Sequence, residues 1–416
     1  MFIIFKRYEV FIVGVTIALL TGDNGIINKS GDAKRITEIS NEKEELEVAV
    51  IRFSDKRGNL DATKIVNGLQ KEIKNLKEVS NTDGKFPVKV EYKNGHKYQI
   101  TKDGDIMITL NAGERAPDDS NAIYSSDNFT AVIPAGFTVS NVAGESSIKT
   151  GLVIKDDAKN EFVWIPVNIP WKSDSTKTIT LSRYTFASNG KPTDRGSNLI
   201  INCLESESSE YGNAVAKNIN DFISKTNAVG GFWIGRYEAR IEGYTSVDTN
   251  CPYNNPNWVG YTGGKLVEKP EAQVFNYITQ NKASELSRTM YSNNRYFESD
   301  LINSYAWDTA ALFLQEYDNR EGTNLTPYSV QSSINTGSVL EKGTVLETNK
   351  DKICNVYDIA SNCFEWSTET TTNSNYPCVK RGGQCYVSSN ATKLRSSVST
   401  TYALDSDSFR PILYIK

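Results

Sequence analysis

The spacing of apolar side chains changes character along the chain. Val10–Leu20 is an apolar run of eleven residues preceded by Lys6 and Arg7. A cationic flank before an apolar run is the polarity of a membrane-directed N-terminus, although eleven residues are short for a full span. The expectation is a hydrophobic anchor helix over 1–20. Between Asp32 and about Arg52, Ile36, Ile39, Leu46 and Val50 fall near one helical face, with charges elsewhere. Asp61 reads as the N-cap of a second helix carrying Ile65, Leu69, Ile73 and Leu76. The period then drops to two. Phe86–Tyr92, Lys97–Ile100 and Asp105–Ile108 are separated by Asn94-Gly95 and Asp103-Gly104, which predicts a three-strand meander.

Asn111–Asn121 is polar and turn-rich, so a linker is expected over 111–122. Beyond it, short strand-like runs alternate with long polar loops. Helical spacing recurs at Asn218–Lys225, Thr279–Tyr291 and Tyr305–Leu314. No repeat of fixed period is present. The fold class read from this pattern is α+β: a small helix-plus-sheet region over 21–110 and a larger domain over 123–416.

Composition narrows the chemistry. The net charge of −4 offers no basic field for nucleic acid. Aromatics at 10%, with 21 Tyr among frequent Asn, Ser and Thr, suit a loop-rich extracellular type of domain. The single histidine, His96, lies in a turn of the first region. The larger domain therefore has no Ser-His-Asp or Cys-His pair and no histidine-ligated metal. All six cysteines lie from Cys203 onward, with no Cys-x-x-Cys spacing. An even count permits disulfides, but pairing is not deducible from sequence. Cys378 with Cys385 is the first pair to check, and buried thiols are the alternative.

The chemistry-bearing stretch is near residue 360. Glu365 stands between Phe364 and Trp366. In a strand it faces away from both, and a buried carboxylate needs a cation or backbone donors. Asp358 precedes it across a loop of small and amide side chains. Oxygen donors flanking such a loop suit calcium. Two solvated acids on a loop would have the same spacing.

The order of the pieces carries a resemblance. Asn355–Trp366, then Val379-Lys-Arg381-Gly-Gly383, Arg395 and Ser408-Phe-Arg410 resemble the C-terminal signature of the formylglycine-generating enzyme (sulfatase-modifying factor) family, a branch of the C-type lectin fold. Phe162–Val167 and Gly231–Glu238 resemble its earlier strands, and the likeness covers about 123–416. Residues 14–45, with Thr37-Glu-Ile39 and Glu42-Lys-Glu-Glu45, resemble type IV pilin-like proteins of Gram-positive bacteria. The first resemblance implies a structural calcium. Asp358 and Glu365 would be its side-chain ligands, and Ser361 and Cys363 would supply backbone oxygens. Catalytic members hold copper(I) with two cysteines five residues apart after the Arg-Gly-Gly segment. Here Cys385 is the only catalytic candidate, and Asn390 stands five residues on. Together the resemblances imply a membrane-anchored cell-surface protein. It would carry a lectin-fold head on a pilin-like stalk and bind an unidentified glycan or protein ligand, with no nucleic-acid partner. The alternative is a copper-dependent oxidase that makes formylglycine from a substrate cysteine. Tyr386–Ser408, dense in Ser, Thr, Asn and Tyr, has the composition of adaptable binding loops. A head diversified by a retroelement is a subclass of this reading.

Overall fold

The computed structural model describes residues 26–55, 58–187, 192–195, 202–242, 265–318, 352–385 and 393–416. The expected anchor helix over 1–20 lies outside the described residues. Among the described residues no helix is long and apolar enough to cross a membrane. The chain divides into two compact units, Met1–Thr109 and Leu110–Lys416.

The first unit holds helix α1 (Ile26–Phe53) and helix α2 (Ala62–Glu72), with the side chain of Asp61 capping α2 by accepting from Lys64 N. Helix α2 stops at Ile73, and Leu76 instead opens strand β1 (Leu76–Thr82). It is followed by β2 (Lys85–Tyr92), β3 (Lys97–Ile100) and β4 (Ile106–Leu110). These four pair antiparallel in sequence order. The expected meander thus has one more strand, entered through Asp83-Gly84, both at positive φ. That turn is as good a hairpin signal as Asn94-Gly95. Ile39, Leu46 and Val50 of α1 are buried, whereas Ile36 is exposed. His96 is more than a turn residue: its Nδ1 lies 2.8 Å from Glu42 Oε2 on α1, and Tyr98 OH donates to the same oxygen at 2.7 Å.

The second unit begins at Leu110, and the expected linker over 111–122 belongs to it. Ala116 and Ala122 are buried, and Ala116 N donates to Phe137 O at 2.8 Å. Strands β5 (Ala122–Ser126) and β6 (Phe129–Ile133) form a hairpin through Asp127-Asn128, both at positive φ. The main sheet contains β7 (Thr138–Val139), β8 (Val153–Lys155), β9 (Glu161–Pro166), β10 (Gly231–Gly235), β11 (Phe297–Leu301) and a last strand, Pro411–Ile415. Its order is β11, Pro411–Ile415, β10, β9, β8, β7, antiparallel throughout. Phe162–Ile165 and Phe232–Ile234 are buried on both faces of the sheet, which is why these runs lack polar alternation.

Helix α3 (Ile219–Val229), capped by Asn218 and ended by Gly230 in the left-handed region, sets Phe222 against Phe232 and Tyr414. Helix α4 (Gln280–Thr289) is capped by Thr279. Helix α5 (Ser304–Glu316) is capped by Asn303 and buried along almost its whole length. A helix without a polar face is an interior helix. Its Trp307, Ala310 and Phe313 share the main core with β9, β10 and Ile353–Ala360.

The second sheet is built on β12 (Phe364–Thr371), with Cys203–Leu204 on one side and β13 (Cys378–Arg381) then β14 (Ser396–Val398) on the other. β15 (Asp407–Phe409) pairs parallel to the start of β12. The chain then enters β16 (Pro411–Ile415), so Arg410 is the hinge between the sheets.

Gly151 marks one close approach. It sits at φ +95°, and an added Cβ would come within 1.8 Å of Cys354 O. Asn355 Nδ2 donates to Gly151 O at 2.7 Å and to Gly144 O at 2.9 Å, which holds the two loops at that distance. Gly151→Ala is expected to cost at least about 2 kcal/mol through backbone strain and overpacking. A lower urea midpoint at unchanged slope would show it; an unchanged midpoint would contradict the close approach.

Candidate functional site

Strand β12 carries two acids, Glu365 and Glu369, and its register against β13 shifts between Trp366 and Thr370. Each enters a separate buried charge cluster.

The first cluster surrounds Arg410, which the hinge between the two sheets delivers. Its Nη2 and Nε lie 2.6 and 2.9 Å from Glu365 Oε1. Its remaining donors reach Gly235 O at 2.8 Å and Tyr357 O at 2.9 Å. Glu365 Oε2 accepts from Trp307 Nε1 at 3.3 Å. Arg410, Glu365, Glu238, Glu268 and Asp358 are all fully buried. Glu238 accepts from Cys363 N at 2.7 Å and from Asn362 Nδ2. Burial pushes the Glu238 carboxyl well above the usual range, and the nearby Asp358 and Glu365 push it further. Burial raises Glu268 likewise, and Arg410 and Arg240 offset this only in part. Neither Glu268 oxygen accepts a hydrogen bond of good geometry, although the Tyr237 amide faces the group. A Cβ on Gly235 would meet Glu268 Oε2 at 2.6 Å, so only glycine leaves room there.

The second cluster surrounds Glu369 and Asp308. Glu369 Oε1 meets Arg183 Nη2 at 2.5 Å and Arg395 Nε at 2.8 Å, and its Oε2 meets Arg381 Nη1 at 3.2 Å. Asp308 Oδ1 meets Arg381 Nη2 and its Oδ2 meets Arg395 Nη2, both at 2.6 Å. Burial alone would raise the Glu369 carboxyl, but Arg395, Arg381 and Arg183 outweigh it and hold the group at about 2. Trp307 joins the clusters, since Arg381 stacks 4.2 Å above the centre of its ring.

The structure therefore brings Asp358 and Glu365 into one neighbourhood. The partner Glu365 requires is a guanidinium. Ser361 and Cys363 are buried beside them, and Asp358 takes a left-handed φ of +58°. Among the described residues no group of three or more His, Cys, Asp or Glu is arranged to hold a metal ion. The residues present fit an ion pair better than a calcium cage, because Arg410 occupies the Glu365 carboxylate. Cys385 is buried, with its N–H donating to Asn362 O at 2.9 Å, and Asn390 lies outside the described residues. Cys378 instead faces the smaller core with Trp366 and Phe409.

The sequence singled out Arg381, Arg395 and Arg410 as motif positions, and Glu365, the acid of Arg410, but not the acids that meet Arg381 and Arg395. Even spacing from Glu365 is no guide to Glu369, because the register of β12 shifts between Trp366 and Thr370. Glu238 stood at the end of the Gly231–Glu238 run. Glu268, Asp308 and Arg183 carried no local signal, since they reach the site only through tertiary packing.

No family model matches the chain, and no curated protein matches it. Among solved structures, CarF shares 15% identity over 34% of this chain and 67% of its own, with a TM-score of 0.26. Treponema denticola variable protein 1 shares 12% identity over 70% of this chain and 98% of its own, with a TM-score of 0.22. The Major Tropism Determinant U1 variant shares 10% over 81% and 83%, with a TM-score of 0.28. Likenesses at these scores carry no argument about this chain.

The two clusters have opposite pH signatures. Glu268 titrates above its ordinary value, so its stabilising contribution is complete at low pH and is lost as pH rises through the raised value. Glu369 is depressed from 4.5 to about 2, so its contribution is present above 4.5 and is lost as pH falls toward 2. Glu268→Gln should raise the melting temperature at pH 8 and change it little at pH 4. Glu369→Gln should destabilise at neutral pH by about 3–5 kcal/mol by leaving buried cations underpaired. Thermal melts across pH check both; equal shifts for the two variants would overturn this charge assignment.

Proposed function

We propose that residues 110–416 are a binding head, a C-type-lectin-like domain of the formylglycine-generating-enzyme type. It would be displayed at the cell surface on a pilin-like, membrane-anchored stalk and capture a glycan or protein ligand. The observation that carries this reading is the fastening of the segment after residue 393 to the buried clusters. Arg381 Nε donates to Leu394 O at 2.9 Å. Arg395, with a side chain only 10% exposed, grips Asp308 and Glu369 at once. Lys380 Nζ lies 4.5 Å from the centre of the Tyr402 ring and 2.6 Å from Asp407 Oδ1. The half-exposed Ser396–Val398 edge and its Ser and Thr neighbours are thus held on a rigid base. A pre-ordered polar surface loses little entropy on capturing a ligand.

The oxidase alternative needs a thiolate presented to substrate. Cys385 is fully buried, which favours binding. The test is an array of glycans and surface proteins probed with the full chain and with Arg395→Gln. Saturable binding that the variant weakens several-fold supports capture by this surface. The competing assay incubates the copper-loaded chain with a sulfatase-type cysteine peptide under oxygen. Conversion of that cysteine to formylglycine, lost in Cys385→Ser, would replace the binding reading with the enzyme.

Calcium at Asp358, Ser361, Cys363 and Glu365 would require the Glu365–Arg410 pair to open. A ligand that binds only the folded state raises the melting temperature as its concentration rises. An unchanged melt on adding calcium is the expected result. A rise that Glu365→Gln abolishes would establish the metal.

A further inference from the structure

Two cysteines distant in sequence meet at the root of the segment assigned to binding. Cys363 lies in the turn before β12, and Cys385 ends the turn after β13. The Cys385 N–H donates to Asn362 O at 2.9 Å. That carbonyl belongs to the peptide unit joining Asn362 to Cys363. Standard backbone dimensions then place the two α-carbons roughly 5–7 Å apart, overlapping the separation a disulfide spans. Both residues are fully buried and both are thiols in this structure. Cys363 Sγ lies 3.8 Å from Asp405 O. Cys378 sits elsewhere, in the smaller core, where burial alone raises it to about 12.

We propose that Cys363 and Cys385 are a redox pair that closes into a disulfide joining the two turns. The oxidant is a small-molecule disulfide of the glutathione type. One cysteine thiolate attacks it, forming a mixed disulfide and releasing one glutathione thiol. The second cysteine thiolate then attacks the protein sulfur and releases the other. The protein thiols give up two protons and two electrons, and the glutathione disulfide becomes two thiols. Burial disfavours the thiolate, so exchange is slow in the folded chain and proceeds while the chain folds. Cys385 directly precedes residues 386–408, and the bond would fix one end of that segment to the Asn362–Cys363 turn.

The full chain is unfolded in reductant and refolded either in a glutathione redox buffer or in reductant alone. Remaining thiols are alkylated, and the protein is digested without reduction for mass spectrometry. The expected product of the redox buffer is a peptide pair joined through Cys363 and Cys385, with a higher melting temperature than the reduced sample. Cys363→Ser and Cys385→Ser should each abolish the joined pair, and Cys378→Ser should leave it. Recovery of both cysteines alkylated after the redox buffer, or of either joined to another cysteine, overturns the proposal. If the serine variants do not fold, the unsubstituted chain decides alone.

Discussion

One indole holds the second unit together. Trp307 donates from its edge to Glu365 and carries Arg381 on its face, so it touches both charge clusters from the first turn of a buried helix. Burying charged groups is costly unless each is closely paired, and removing one partner exposes the full cost in the other. The second sheet can therefore dock on α5 in only one arrangement that satisfies these groups. Any other register of β12 would strand Glu365 or Glu369 without its guanidinium. The ion pairs act here as a specificity device, with the apolar main core supplying the driving force.

The clusters balance charge by different means. Around Arg410 the acids outnumber the cations that reach them, and burial lifts Glu238 and Glu268 toward the neutral form. Around Glu369 and Asp308 three guanidiniums meet two acids, and they hold the Glu369 carboxyl ionised. The carboxylate-rich cluster lies at the hinge between the sheets. The guanidinium-rich one lies under the segment after residue 393, from which Arg395 reaches inward. Interior electrostatics thereby fix the geometry of an outer edge made of Ser, Thr and Tyr.

Much of this architecture was legible from local pattern. Asp61 announced its helix, because a side-chain oxygen before an apolar period has few other uses, and helical spacing marked the stretches from Asn218 and Thr279. The α+β division and the meander followed from the change of period. Strand β1 was missed because Leu76 continues the helical spacing of α2, and only the Asp83-Gly84 turn argued otherwise. Residues 111–122 read as a linker because polar turn residues look alike whether solvated or packed against a neighbouring strand. At the site, motif order found Glu365, Arg381, Arg395 and Arg410. Which acid meets which cation depends on separations of up to 186 residues, as between Arg183 and Glu369, and no local period encodes that.

The position of β16 has a consequence for biosynthesis. Residues 411–415 do not decorate an edge; they lie between β10 and β11, inside the main sheet. Until that segment leaves the ribosome, Trp233 and Phe297 lack their neighbouring strand, and Arg410 has not reached Glu365. Strands whose partners are distant in sequence close late. The nascent second unit must wait with an apolar slot open, and its protection from aggregation in that interval falls to chaperones or to speed.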